Sequence, residues 1–450
     1  MTEGNLSEQI LFFSIPLMIS NLLQALFNMA DIAVVGQFSG PIALGAVGST
    51  VILVGVFTGI LIGMGSGVNA ICARHIGAKD YSALKKTVSS ASIVCLAVGA
   101  VLMICGLLLT DCLLELLGTK EELMDGAALY LHIYFLGMPA LALYNFGNGI
   151  LSAAGNTKTP LYYLIGAGIL NVILNIIFVV GFKRSVDGVA AASVISQYFS
   201  AVMILRYLFK SEEEYSLNFS EIRLYKGYTE KILLLGLPAG IQNAIFQIAN
   251  LFVQRGVNSF SATVVAGNSA AANSDTLVYD VMAAFYMACS SFMAQNLGAR
   301  KKERATKSFL LCLTYSFAAG AVLGLVMIAF GNGFLKIFTS DNAVAEAGMY
   351  RLKIMGLSYA VSAFMDCTIA ASRGIGKTVV PMIIVIMGSC IFRIVWVCTI
   401  FAYFKTITSL YLIYIFSWLI TAAAEIIYFV ISYKKLPRTS PAAAVWQAES

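Results

Sequence analysis

The sequence predicts an all-α polytopic membrane protein, with twelve transmembrane helices in two six-helix lobes related by a pseudo-two-fold axis along the membrane normal. Three observations carry that prediction. The first is composition: 59% of the 450 residues are hydrophobic, only 12% are charged, and mean hydropathy is +0.84. A soluble chain would carry roughly twice that charge fraction. The second is the recurrence of apolar runs of about 20 residues, each long enough to cross a bilayer as a helix. The third is an internal repeat of about half the chain.

The spans follow in order. The polar start "MTEGNLSEQ" has no features of a cleavable signal peptide and leads straight into span one, 10–35. Span two, 45–72, ends at the basic segment "ARHIGAKDYSALKK", and span three, 88–109, runs into the acidic loop "TDCLLELLGTKEELMDG". Spans four and five, 128–151 and 160–181, are separated by the turn-forming "AGNTKTP", and span six is 188–209. Residues 1–209 form the expected N-lobe. The charged stretch 210–230, "KSEEEYSLNFSEIRLYKGYTE", is the expected cytoplasmic linker. The C-lobe, 231–433, holds spans 231–256, 265–294, 308–330, 347–370, 380–404 and 408–433, and 434–450 is a cytoplasmic tail.

Orientation follows from lysine and arginine in short loops. Arg74, Lys79, Lys85 and Lys86 fall on one side with Arg300, Lys301, Lys302, Arg304 and Lys307, and with Lys434, Lys435 and Arg438. Asp111, Glu115, Glu121, Glu122 and Asp125 fall on the other, against Lys120 alone. Both termini are therefore expected in the cytoplasm and the chain in the cell membrane. The net charge of +6 then reflects these loops rather than nucleic-acid binding.

Sliding the chain by 222 residues brings "ILFFSIPLMISNLLQALFN" onto "ILLLGLPAGIQNAIFQIAN", matching Pro16 to Pro238, Asn21 to Asn243 and Asn28 to Asn250. A shift of 221 brings Gly77-Ala78 onto Gly298-Ala299, and "AGNTKTP" onto "IGKTVVP". The unit duplicated has six spans, an even number, so both copies have the same orientation. Two such lobes around one axis suit alternating access.

Several functions find no support. The nine cysteines include no CxxC pair, and most sit inside spans as small packing residues. His75 and His132 are too scattered for a metal site. No nucleophile elbow, P-loop or dinucleotide fingerprint is present, so neither an enzyme nor an ATP-driven pump is expected, and no cofactor.

Span one holds the sharpest signal. Asn21, Gln24, Asn28 and Asp31 are spaced by three, four and three residues, which puts them on one helical face. A carboxylate at mid-span costs about 2.5–3.5 kcal/mol on insertion scales, so function is its default reading. Asp31 sits roughly 30 Å from the inner end of the span, in the outer half, with Asn21, Gln24 and Asn28 along the route below it. The second half has its own stripe, Asn243, Gln247, Asn250 and Gln254, with Arg255 nearby and Asn273, Asp275, Tyr279 and Asp280 on span eight. These either line a substrate pocket or form a structural network in which Arg255 pairs with Asp275. Asp366 and Glu425 lie nearer the cytoplasmic ends, where they could snorkel. Arg393, inside span eleven, needs a partner, with Asp280 expected first and Glu425 second.

The segments "FNMADIAVVGQFSG", "SAAGNTKTPLYYLIGAGILNVILNIIFV" and "MAQNLGARKKERATK", in this order and spacing, resemble multidrug and toxic compound extrusion (MATE) transporters, most closely the bacterial branch with its key Asp in the first span. The resemblance covers all but the tail. It implies a cation-coupled antiporter that exports organic, cationic drugs or toxic compounds. It also implies an N-lobe cation site of Asp31, Asn171, Asn175 and Ser193. The family often has Asp at Asn175 and Thr at Ser193. A lone carboxylate weighs toward H⁺ over Na⁺, with Asp31 the ligand if Na⁺ is used. Arg373-Gly374 match the family's Arg-Gly after span ten. Expected partners are small organic cations and membrane lipid, with no nucleic acid, and the chain is expected to be a monomer. The rival reading is a lipid-linked oligosaccharide flippase, which would show extra spans and a strongly basic cavity.

Overall fold

A computed structural model describes residues 1–436; the expected tail beyond Leu436, with Arg438, lies outside the described residues. The described residues are helical throughout, with no strand among them. We number the helices α1 Leu6–Phe38, α2 Gly40–Ala78, α3 Tyr81–Leu116, α4 Glu121–Phe135, α5 Met138–Ala153, α6 Lys158–Gly181 and α7 Val186–Lys210. The second series is α8 Lys226–Val257, α9 Ala262–Gly298, α10 Lys302–Leu335, α11 Asn342–Gly374, α12 Val379–Phe404 and α13 Ile407–Lys435. Eleven of these are long and apolar enough to cross a membrane, and the bent pair α4–α5 supplies a twelfth span.

That pair supplies the span expected over 128–151, but as two helices rather than one. The chain breaks at Leu136–Gly137 and bends by 48°. Pro139 accounts for it: proline has no N–H for the Phe135 carbonyl, and its ring clashes with that carbonyl in a continuous helix.

The chain packs as two compact units with boundaries different from the expected lobes. One, the N unit, is Ile19–Ala244; the other, the C unit, joins Met1–Met18 to the residues from Ile245 on. The first half of α1 thus belongs to the C unit, where Leu6, Ile10, Phe13 and Leu17 pack with Phe285, Phe292 and Phe429. Phe13 and Phe292 meet edge to face, 5.5 Å between ring centroids. Conversely, the first half of α8 belongs to the N unit, and its glycines explain why. A Cβ on Gly67 would lie 2.7 Å from the Gly236 Cα, and one on Gly63 would collide with the Gly240 backbone. Bare backbone on both helices lets α2 and α8 approach this closely.

The expected linker is also part of the N unit. Ser89 Oγ on α3 donates to the carbonyls of Glu221 and Arg223, both at 2.9 Å, and Tyr225 N–H donates to Ser90 Oγ at 3.0 Å. Tyr215 and Leu217 are buried, so the segment is strapped down rather than free.

Candidate functional site

In the N unit, three helices bring Asp31, Asn171, Asn175 and Ser193 together. Asp31 stands one turn before Val35 on α1, Asn175 one turn before Val179 on α6, and Ser193 one turn after Val189 on α7. Those three valines belong to a single apolar cluster, which excludes water from the polar group beside it. Asn171 and Asn175 are one turn apart on α6, so both reach the same side. Directly after Asn175 the helix widens into a π-helical turn, Ile176–Gly181, a feature frequent at functional sites.

The geometry is closed on itself. Asn175 Nδ2 donates to Asp31 Oδ1 at 2.5 Å and to Asn171 Oδ1 at 3.2 Å. Ser193 Oγ donates to Asp31 Oδ2 at 2.9 Å, and Asn171 Nδ2 donates to Ser193 Oγ at 3.3 Å. All four residues are buried, Asn175 completely. One acceptor is left over: Asn175 Oδ1 is buried with no hydrogen-bond partner. The cluster therefore offers one carboxylate and a spare amide oxygen beside it. That set can accept a proton or supply hard oxygen ligands to a small cation.

The rest of the polar stripe on α1 does not join this group. Gln24 and Asn28 are exposed and Asn21 is half-buried. Of their counterparts, Asn243 donates to the Gly59 carbonyl at 3.2 Å, a helix–helix contact inside the N unit. Gln247, Asn250 and Gln254 line a cavity of about 550 Å³ in the C unit, together with Asp275, Asp280 and Asp366.

Around that cavity the expected ion pairs are corrected. Arg255 is exposed and does not pair with Asp275. Arg351 of α11 takes that role: it forms an ion pair with Asp275, donates to Asn268 Oδ1 at 2.8 Å, and lies 5.3 Å over the Tyr411 ring. Tyr359 also donates to Asp275. Sequence reading passed over Arg351. Its signal was the stripe Arg351, Met355, Tyr359 and Ser362, which repeats at helical spacing on a largely apolar span. Arg393 pairs with neither Asp280 nor Glu425. Its Nη1 donates to Asn250 Oδ1 at 2.9 Å and its Nε to Ser417 Oγ at 3.3 Å, and its guanidinium lies 4.7 Å over the Tyr414 ring. Glu425 does not snorkel. It falls on the buried α13 stripe Ser417, Thr421, Glu425 and Phe429, fully covered, with neither carboxyl oxygen hydrogen-bonded.

The repeat identifies what stands in the C unit at the positions equivalent to this cluster. The offsets of 222 and 221 carry Asp31, Asn171, Asn175 and Ser193 to Val253, Phe392, Trp396 and Tyr414. The same 221-residue step carries the starts of α6 and α7 to those of α12 and α13, and the π-helical turn at Ile176 to that at Val397. All four equivalent residues belong to one apolar cluster in the C unit. In the C unit the equivalent position is apolar packing.

Comparisons with known proteins agree with this duplication. The family model MatE matches residues 16–177 and again 238–399, the second match displaced from the first by 222 residues at each end. The probable multidrug resistance protein YpnP of Bacillus subtilis is 27% identical over 361 residues, covering 80% of each chain. The FAD transporter of Shewanella oneidensis is 25% identical over 358 residues, 78% of each. In the solved structure of a MOP superfamily transporter from Pyrococcus furiosus, described as having a binding pocket of reverse polarity, 96% of each chain superimposes with a TM-score of 0.89 at 22% identity.

Proposed function

The chain belongs to the MatE family, and on that premise we propose that it is a cation-coupled antiporter exporting organic, cationic drugs or toxic compounds across the cell membrane by alternating access. One observation carries the reading: a buried carboxylate held by three neutral side chains on three helices, with a spare oxygen next to it. An ionisable group at this depth marks an ion pathway. YpnP, named as a multidrug resistance protein, supports the substrate side of the reading.

The coupling step is an exchange at Asp31. When Asp31 is charged, Asn175 Nδ2 and Ser193 Oγ stabilise it. On protonation its hydroxyl needs an acceptor, and rotation of the Asn175 amide presents Oδ1 to it. Na⁺ would instead be ligated by Asp31, Asn171 and Asn175 oxygens with Ser193 Oγ. The lone carboxylate favours H⁺, because a hard cation gains most from a second charge. Both termini then lie in the cytoplasm, with the basic loops.

Efflux of a fluorescent organic cation from vesicles of purified protein tests this, with pH and Na⁺ gradients imposed separately. Export is expected to follow the pH gradient in Na⁺-free buffer. Export driven by Na⁺ alone would reverse the ion assignment, and none under either gradient would end the antiporter reading.

A further inference from the structure

The cavity of the C unit holds a cation that makes no direct ion pair. Arg393 is 2% exposed, and every polar partner it has is neutral: Asn250, Ser417 and the face of Tyr414. Among the described residues it forms no direct ion pair; Asp366, lining the same cavity, acts on it only through space. Arg351, lining the same cavity, shows the contrast, since Asp275 neutralises it. A buried guanidinium has five donors in a planar fork and keeps its proton, and with only Asn250 Oδ1 and Ser417 Oγ accepting from it, donors remain for a ligand. Tyr414 and Trp418 line the cavity beside it and offer flat aromatic faces, with ring centroids 5.6 Å apart.

We propose that Arg393 anchors an anionic group, a carboxylate or phosphate, on the compound that this cavity binds, with the compound's aromatic body against Tyr414 and Trp418. The inference rests on the export reading above and adds to it a requirement on the substrate: a negative group as well as any cationic one. A planar fork of donors pairs with a carboxylate or phosphate through two parallel hydrogen bonds, a geometry that an ester cannot accept with charge. Asn250 sets how accessible the anchor is, because its neutral Oδ1 occupies one terminal nitrogen without adding a negative charge.

The test uses a rhodamine with a free carboxylate and the methyl ester of the same dye, which share the xanthylium cation and differ only in the negative group. Binding to the purified protein is followed by quenching of tryptophan fluorescence, with no gradient. The free acid is expected to bind about tenfold more tightly than the ester. In Arg393→Met that ratio should collapse toward one. Since Arg393→Met removes a buried hydrogen-bonded residue, Asn250→Asp provides a second variant: it keeps Arg393 and places a carboxylate against its Nη1. It should collapse the ratio as well. A wild-type ratio near one, or a ratio that survives in both variants, overturns the proposal. Export of both dyes at equal rates would leave the antiporter reading standing while this one fell. Export of neither from vesicles, despite a tenfold binding ratio, would remove the antiporter reading and leave the anchor in place.

Discussion

Asn175 on α6 donates its amide to Oδ1 of Asp31 on α1 across 2.5 Å, while its own Oδ1 faces no donor. One amide therefore holds the charged form of the acid and keeps an acceptor in reserve. The variant Asp31→Asn retains an acceptor for Asn175 and a group with which Ser193 can pair. Its thermal unfolding midpoint should stay within a few degrees of wild type, while gradient-driven efflux falls at least about tenfold. Wild-type efflux by the purified variant would remove Asp31 from the coupling step.

Asn175→Asp replaces the donor with a second carboxylate against Asp31. Without a cation the cluster loses its central hydrogen bond, and the fold should weaken by about 1–3 kcal/mol. Na⁺ should restore that loss, since two carboxylates then share it. Unfolding midpoints compared in sodium chloride and choline chloride decide the matter; equal midpoints in both would mean that no cation enters.

In the C unit, Arg351→Met leaves the half-buried Asp275 with a hydroxyl partner only. A loss of roughly 3–5 kcal/mol is expected. Removing the acid as well, in Arg351→Met with Asp275→Leu, should recover much of it, because the cost lies in the orphaned charge. The double-mutant cycle, read by thermal unfolding, would show additive losses if the pair were energetically idle.

Gly63→Val should prevent folding or cost more than about 3 kcal/mol, since its side chain would enter the Gly240 backbone. Gly48→Ala is the control, with nothing within 4 Å of the added carbon, and should leave yield and midpoint unchanged. Similar behaviour of the two variants would mean that α2 and α8 have room to separate.

Glu425→Met should stabilise the protein, by about 1–3 kcal/mol, because both carboxyl oxygens are buried without a hydrogen bond and methionine fills a similar volume. A lowered unfolding midpoint would point to a partner for this acid.

Much of the N-unit site was legible in the sequence. Asp31 stands out because an ionisable residue in an apolar run has few bland explanations, whereas Asn171, Asn175 and Ser193 came from the family resemblance and not from the pattern of residues. What the sequence does not display is which helices meet. Arg351 and Asp275 are 76 positions apart, and Arg255, nearer in sequence to Asp275, was the obvious but wrong partner. Arg393 was rightly expected to need a partner, but neutral side chains supply it, and hydrogen-bond capacity carries no sign that hydropathy can register. Boundaries fared worst. Apolar runs mark what crosses a bilayer and not where a helix ends, so α2 extends well beyond the expected 45–72, and the break at Gly137 was hidden inside a continuous apolar run.

The division of α1 and α8 between the two units places an order on biosynthesis. Leu6, Ile10, Phe13 and Leu17 leave the ribosome more than 250 residues ahead of Phe285, Phe292 and Phe429, which cover them. Until then the apolar face at the start of α1 lacks these covering side chains. The N unit waits too, since Gly63 and Gly67 have nothing to close against until Gly236 and Gly240 emerge. A gene cut at the linker would thus yield two pieces, each missing part of its own interior. Each half of the duplicated sequence lends the start of its first helix to the other half's interior.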